Sequence, residues 1–269
     1  MSKKILMLTM SCNKPYFQGL LGAVRDTWAK PLIKNKYEMI SWWSYTSCDN
    51  NHPNECIDFE NHMIYVNCDD DLKSTYLKTK RAYELIKSTG INFDYVVRTN
   101  TSVYVNLNNM LDRIEKLDDD TIIANWFPFY IGEEFMFYSF FGFFVGINRN
   151  FFDYAISSDD CYINGVKQND DIVMSKNIFC NIPEINGLCA DDDNRLVMYK
   201  SILSNDTETI NEEEVKKYNF DFINDPNIIN HRVVVRFRSW YDGDDRIAKG
   251  HEIEHIYELD NALKKINMY

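Results

Sequence analysis

The sequence predicts an α/β fold, a three-layer sandwich with a mostly parallel central sheet and helices on both faces. Short, continuous apolar runs recur along the chain, as in strands buried on both faces. Segments of helical period separate these runs, which is how successive parallel strands are connected. Of the 269 residues, 45% are hydrophobic, and no Pro/Gly/Ser-rich spacer interrupts them. A single domain over residues 1–269 follows.

The elements come in order. Residues 5–10 (ILMLTM) read as the first strand. In 16–28, Phe17, Leu20, Leu21, Val24 and Trp28 share one helical face. Residues 39–45 and 63–66 read as the second and third strands. The best-defined helix is 71–87, with Asp71 or Ser74 as cap and Gly90 as stop. A strand over 94–97, a helix over 108–117, a turn at 118–120 and a strand over 121–124 follow. Next comes an aromatic region, whose apolar stretch 135–147 is too short to span a membrane and suits core strands. Residues 151–157 and 170–179 read as helices, 233–237 as a late strand and 252–266 as a last amphipathic helix.

Charge and motifs narrow the function. A net charge of −12 argues against a nucleic-acid binder, which needs a basic surface. Neither GxGxxG nor GxxxxGK[ST] occurs, so dehydrogenase and P-loop chemistry lose their fingerprints. The seven cysteines (12, 48, 56, 68, 161, 180 and 189) form no CxxC pair. Free, mostly buried thiols in a reducing compartment are expected. The first twelve residues lack the long apolar stretch and cleavage site of a signal peptide. The expected location is cytoplasmic, with peripheral membrane attachment left open.

One stretch is unusual. In YVVRTNTSVYVNL (95–107), five polar residues, Arg98, Thr99, Asn100, Thr101 and Ser102, interrupt two apolar runs without Gly or Pro. Such a break offers donors and acceptors at a strand end, which suits a binding edge or a locally bonded turn.

Four segments in order resemble the inverting β-1,3-glycosyltransferases, the Fringe and galactosyltransferase-like group of GT-A enzymes. AVRDTWAK (23–30) resembles that family's IRxTW, and DDDLKSTYLKTKRAYELI (69–86) its DxYxNLTLKT. The polar stretch resembles YxxKxDDDxFVN. FFGFFVGINRNFF (140–152) with NDDIVMSKNI (169–178) resembles GxGYVLSxxLV followed by EDVxxG. Later, HRVVVRFRS (231–239) is similar to a late HxRxK strand. The chain is thus similar to a divergent microbial or viral member of the group.

The resemblance implies a GT-A fold, with a nucleotide-sugar half over about 1–107 and an acceptor and catalytic half over about 108–269. It implies transfer of a sugar from a nucleotide-sugar donor, UDP-linked, to a hydroxyl of a glycan, glycolipid or glycoprotein, with inversion. The general base falls on Asp171, with Asp170 as the alternative. Donor contacts fall on Thr9, Ser11, Arg25, Lys78, Arg98, Asn100, Thr101 and Ser102. Trp42, Trp43 and Tyr45 are candidates to stack a uracil. Trp126, Phe127 and Gly142 are the acceptor candidates, since sugar rings pack on aromatic faces.

Relatives hold Mn²⁺ or Mg²⁺ with a carboxylate triplet. Here Asn100, Thr101 and Ser102 occupy that slot, and only the Ser102 hydroxyl stands as a weak ligand. Hard cations prefer anionic oxygens, so metal-independent transfer is favoured. Arg98, Lys78, Arg25, Arg236 and Arg238 would then neutralise the diphosphate. Asp69, Asp70 and Asp71 precede a helix and read as caps, whereas Asp191, Asp192 and Asp193 read as a solvated run. His231 matches a family histidine loosely. The alternatives are a retaining GT-A transferase, which would need no base at Asp171, or a carbohydrate-binding descendant without catalysis.

Overall fold

The computed structural model describes residues 3–116, 122–131, 134–158, 160–163, 165–181, 234–236 and 251–265. The expected turn at 118–120, Asp191 to Asp193, His231, Arg238 and Cys189 lie outside the described residues. So do the side chains of Trp126, Phe127, Arg236 and Cys180.

The strands are β1 (Ile5–Met10), β2 (Ile40–Ser47), β3 (Cys56–Asp58), β4 (Met63–Val66), β5 (Tyr95–Asn100), β6 (Val103–Val105), β7 (Ile123–Ile131), β8 (Glu134–Asn148), β9 (Tyr162–Ile163), β10 (Val166–Lys167) and β11 (Val234–Arg236). The helices are α1 (Pro15–Asp26), α2 (Lys30–Ile33), α3 (Thr75–Ser88), α4 (Leu107–Glu115), α5 (Arg149–Ala155), α6 (Asp170–Asn181) and α7 (His251–Lys265). Seven strands form the main sheet in the order β3-β4-β2-β1-β5-β8-β7. The central block β4-β2-β1-β5 is parallel, and β3, β8 and β7 add antiparallel edges.

Alternation along the strands makes three layers. Ile5 and Met7 of β1 face one core with Trp28, Met110 and Leu259, beneath α1, α2, α4 and α7. Leu6 and Leu8 face the other with Tyr76, Tyr83, Phe152 and Met174, beneath α3, α5 and α6. Local signals behave as their chemistry requires. Pro15 opens α1, where no N–H is needed. The Asp71 carboxylate caps the turn before α3, accepting from the Ser74 N–H at 2.7 Å. Gly90, at φ 79°, ends α3 in the left-handed region. Among the described residues no helix is long and apolar enough to cross a membrane.

The polar stretch differs most from its expectation. Arg98, Thr99 and Asn100 are strand residues paired with Leu8, Thr9 and Met10 of β1. Only Thr101 and Ser102 make the turn. The strand expected at 121–124 continues through the aromatic region as the long β7–β8 pair, because aromatics suit a pleated surface. The short elements α2, β3, β9 and β10 carry too few residues for a readable period. The late strand is present as β11, antiparallel to β6, with Arg236 opposite Val103. Of the free cysteines described, Cys161 is buried, whereas Cys12, Cys48, Cys56 and Cys68 are only partly covered, which corrects the expectation of mostly buried thiols.

Candidate active site

β1, β2, β4 and β5 all end at one edge of the sheet, where open α/β sheets bind ligands. Two carboxylates from α6 reach it. Asp170, almost wholly buried, ion-pairs with the Arg98 guanidinium and accepts from the Thr79 hydroxyl at 3.4 Å. Its own N–H donates to the Thr75 hydroxyl at 3.2 Å, which fixes the start of α6 against α3. Arg98 is 1% exposed. Its Nη2 also donates to Met10 Sδ at 3.4 Å, while Nε and Nη1 find no hydrogen-bond partner among the described residues. Burial opposes the guanidinium charge, but Asp170 and then Tyr45 outweigh it and raise its pKa.

Asp171 stands differently. Its Oδ2 accepts from the Gly142 N–H of β8 at 3.2 Å, and Oδ1 from the Ile172 N–H at 2.9 Å. A Cβ on residue 142 would stand 3.1 Å from Asp171 Cβ and 3.3 Å from Oδ2, so any larger residue there would push Asp171 back by a few tenths of an ångström. Ser175 and Ser139 bond the Asp171 carbonyl and hold the first turn of α6 on β8. Burial first, then the charge of Asp170, push the Asp171 carboxyl up to about 6. Arg98 and the two N–H groups pull the other way. Two adjacent acids thus divide: one is a paired counter-ion, the other a carboxylate of raised basicity.

A second acid–base pair lies at the same edge. The Asp70 carboxylate pairs with the Lys78 ammonium and accepts from the Asn13 N–H (2.6 Å), the Cys12 thiol (2.9 Å) and the Ser47 hydroxyl (3.2 Å). Lys78 also donates to the Ser11 carbonyl at 3.4 Å. Burial opposes ionisation of Asp70, but the Cys12 thiol and Lys78 hold its pKa below the usual carboxylate range. The sequence reading of Asp69 to Asp71 as caps therefore holds for Asp71 and misses Asp70, which links loops distant in sequence. Nothing in a helical or strand period marks such a link.

The remaining candidates fall as follows. Ser11, Lys78, Arg98, Asn100, Thr101, Ser102, Gly142, Asp170 and Asp171 gather at this edge. Asn100 Oδ1 accepts from the Ser102 N–H (3.2 Å) and hydroxyl (2.9 Å), forming a local turn, and Thr101 is buried. Gly142 backs the Asp171 carboxylate. Thr9 is fully buried, its hydroxyl joined to the Trp42 indole N–H (2.9 Å) and to Thr99 (3.0 Å), so it does not reach the edge. Arg25 is not brought to the site either. The end of α1 carries it to the amino edge, where it donates to the Asn61 carbonyl at 2.7 Å and lies over the Trp42 ring. Trp42, Trp43 and Tyr45 are buried in the two cores, which leaves none of them free to stack a base. Trp126 and Phe127 lie on β7.

No protein-family profile matches the chain, and no curated protein does. Among solved structures it is similar to a glycosyltransferase involved in the glycosylation of the major capsid of PBCV-1. Identity there is 10% and the TM-score 0.47, over 93% of this chain and 98% of that one. It is also similar to the glycosyltransferase GlyE of Streptococcus pneumoniae TIGR4, at 11% identity and a TM-score of 0.41. The apo form of GlyE gives 12% and 0.39. The chain spans 64% of the length of GlyE. Similarity at this level assigns no residue a role.

Proposed function

We propose that the chain is an inverting glycosyltransferase of the GT-A type, a divergent relative of the β-1,3 group that its motifs resemble. It moves a sugar from a nucleotide-sugar donor, UDP-linked, to a hydroxyl of a glycan, glycolipid or glycoprotein. One observation carries the proposal. Asp171 stands at the carboxyl edge beside the polar stretch, backed by the Gly142 N–H, with its pKa raised to about 6. Such a carboxylate is ionised at neutral pH yet more basic than an ordinary one, which suits a general base.

In the proposed reaction the acceptor hydroxyl gives its proton to Asp171 as its oxygen attacks the anomeric carbon. The bond from that carbon to the diphosphate oxygen breaks, and its electron pair leaves with the nucleoside diphosphate. Attack opposite the leaving group inverts the centre.

The leaving diphosphate must be neutralised. A divalent cation needs anionic oxygens, and the slot of Asn100, Thr101 and Ser102 has none. Asn100 Oδ1 is already engaged by Ser102, and Thr101 is buried. These residues do not fit a Mn²⁺ or Mg²⁺ site, and metal-independent transfer is part of the proposal. Arg98 and Lys78 are paired with Asp170 and Asp70, and Arg25 is at the opposite edge. Arg236 remains, with Arg238 two residues on. Its backbone pairs with Val103, next to Ser102.

The test is transfer from a panel of UDP- and dTDP-sugars, with and without EDTA, reading product configuration by NMR. Inverted product with full activity in EDTA is expected. Loss in EDTA with rescue by Mn²⁺ would overturn metal independence. Retained configuration would favour the retaining transferase, and sugar binding without transfer or hydrolysis the carbohydrate-binding descendant.

A further inference from the structure

At the carboxyl edge the Asp70 carboxylate joins four segments. Oδ2 holds the exit loop of β1 through the Asn13 N–H and the Cys12 thiol. Oδ1 holds Lys78 of α3 and Ser47 at the end of β2. Asp70 itself belongs to the exit loop of β4. Asn13 completes the tie, donating to the Ser47 carbonyl at 2.9 Å and accepting from the Thr46 hydroxyl at 2.9 Å. The Lys78 side chain is 3% exposed, and Thr79, the next residue on α3, bonds Asp170. The clamp is therefore one residue removed from the acid pair of α6. Beside it, the Ser11 hydroxyl is buried and has no hydrogen-bond partner among the described residues. An unpaired buried hydroxyl is costly, and a ligand that bonds it would relieve the cost.

We propose that Asp70 is a positioning residue for the donor: with the buried Lys78 as its counter-ion, it holds the Ser11–Asn13 loop in the arrangement that receives the nucleoside diphosphate. The inference rests on the transferase reading. Asp70 touches no reacting atom. It ties the exit loops of β1 and β4 to each other and to the end of β2.

Removing Asp70 alone would leave a buried ammonium unpaired and could unfold the chain. The informative variant is Asp70→Asn with Lys78→Met, which removes both charges and keeps the lysine stem volume. Its melting temperature should stay within a few degrees of wild type. Calorimetric titration with UDP and with dTDP should show binding weakened at least tenfold. In transfer assays the donor KM should rise by more than kcat falls, a split that general loosening of the fold would not produce. Wild-type binding and transfer matched by an equally competent double variant would overturn the role of Asp70 alone. A wild-type protein that binds neither nucleotide would overturn this role together with the transferase reading.

Discussion

The two acid–base pairs at the carboxyl edge are built from the same chemistry and end in opposite states. Asp70 pairs with Lys78 and fills its remaining acceptor sites with donors from two further segments, so its pKa is lowered. At the start of α6, Arg98 serves Asp170, and burial first, then the charge of Asp170, raise the pKa of Asp171 against only two backbone N–H groups and Arg98. Both regions are substantially buried. Burial opposes ionisation at both, and only at Asp70 do a counter-ion and side-chain donors outweigh it. The first holds the exits of β1, β2 and β4 together, and the second, the proposed base, stands against Gly142 of β8.

The sharpest way to break that contrast is Asp171→Asn. Turnover should fall about 10²- to 10⁴-fold, the span attributed to a positioned general base. Stability should move the other way. A carboxyl raised to about 6 in the fold, against about 3.9 unfolded, makes its ionised form a cost of folding. That cost is full above pH 6 and absent below pH ~4. The variant should therefore melt higher than wild type at pH 7.5, with the gain shrinking as pH falls through 6. A variant with near-normal turnover would move the base elsewhere. One with no pH-dependent gain would deny that Asp171 is the strained member of the two pairs.

Asp170→Asn tests the counter-ion. It leaves Arg98 unpaired at 1% exposure, a change that costs about 3–5 kcal/mol when one partner of a buried pair is lost. Asp70→Asn should cost less, because that side chain retains 21% exposure and water can reach Lys78's partner site. Urea unfolding of both variants gives the comparison directly, and equal costs would show that burial does not rank the pairs. The charges facing Asp171 are Asp170 on its own helix and Arg98 on β5, while β8 offers the Gly142 N–H. Losing the negative neighbour and freeing the positive one both favour ionised Asp171. The acid limb of kcat/KM should then move below pH 6 in Asp170→Asn; an unmoved limb would uncouple the two acids.

Much of this arrangement is legible in the sequence, for physical reasons that also mark where it stops. The apolar runs of β1, β2 and β4 and the faces of α1 and α3 announce themselves because burial imposes a period. Asp171 and the polar stretch stand out through motif order. The Asp70 clamp does not, since it joins residues 12, 13, 47, 70 and 78 through side chains that follow no period. Arg25 is misplaced for a related reason: its motif fixes a position on α1, whereas the helix length decides which edge of the sheet it reaches. The strand character of Arg98 to Asn100 is hidden by their polarity, because pairing of all three with β1, and of Arg98 and Thr99 with β8, overrides composition.

Two glycines on β8 refine the contrast at the smallest scale. A methyl group on Gly142 would stand 3.1 Å from Asp171 Cβ and 3.3 Å from its Cγ and Oδ2, so the carboxylate must shift by a few tenths of an ångström. The same group on Gly146 would meet Ile123 and Val97 no closer than 3.7 Å, ordinary packing distance. Positional errors of about 1 Å cost as much as 10²-fold in rate, so Gly142→Ala should lower kcat about 10-fold or somewhat more. Its donor KM should change little, because the clamp around Asp70 is untouched. Gly146→Ala should leave kcat and melting temperature near wild type. If both substitutions reduce kcat alike, the effect belongs to strand β8 as a whole. If only Gly142→Ala does, the close approach of β8 to α6 is what aims the base.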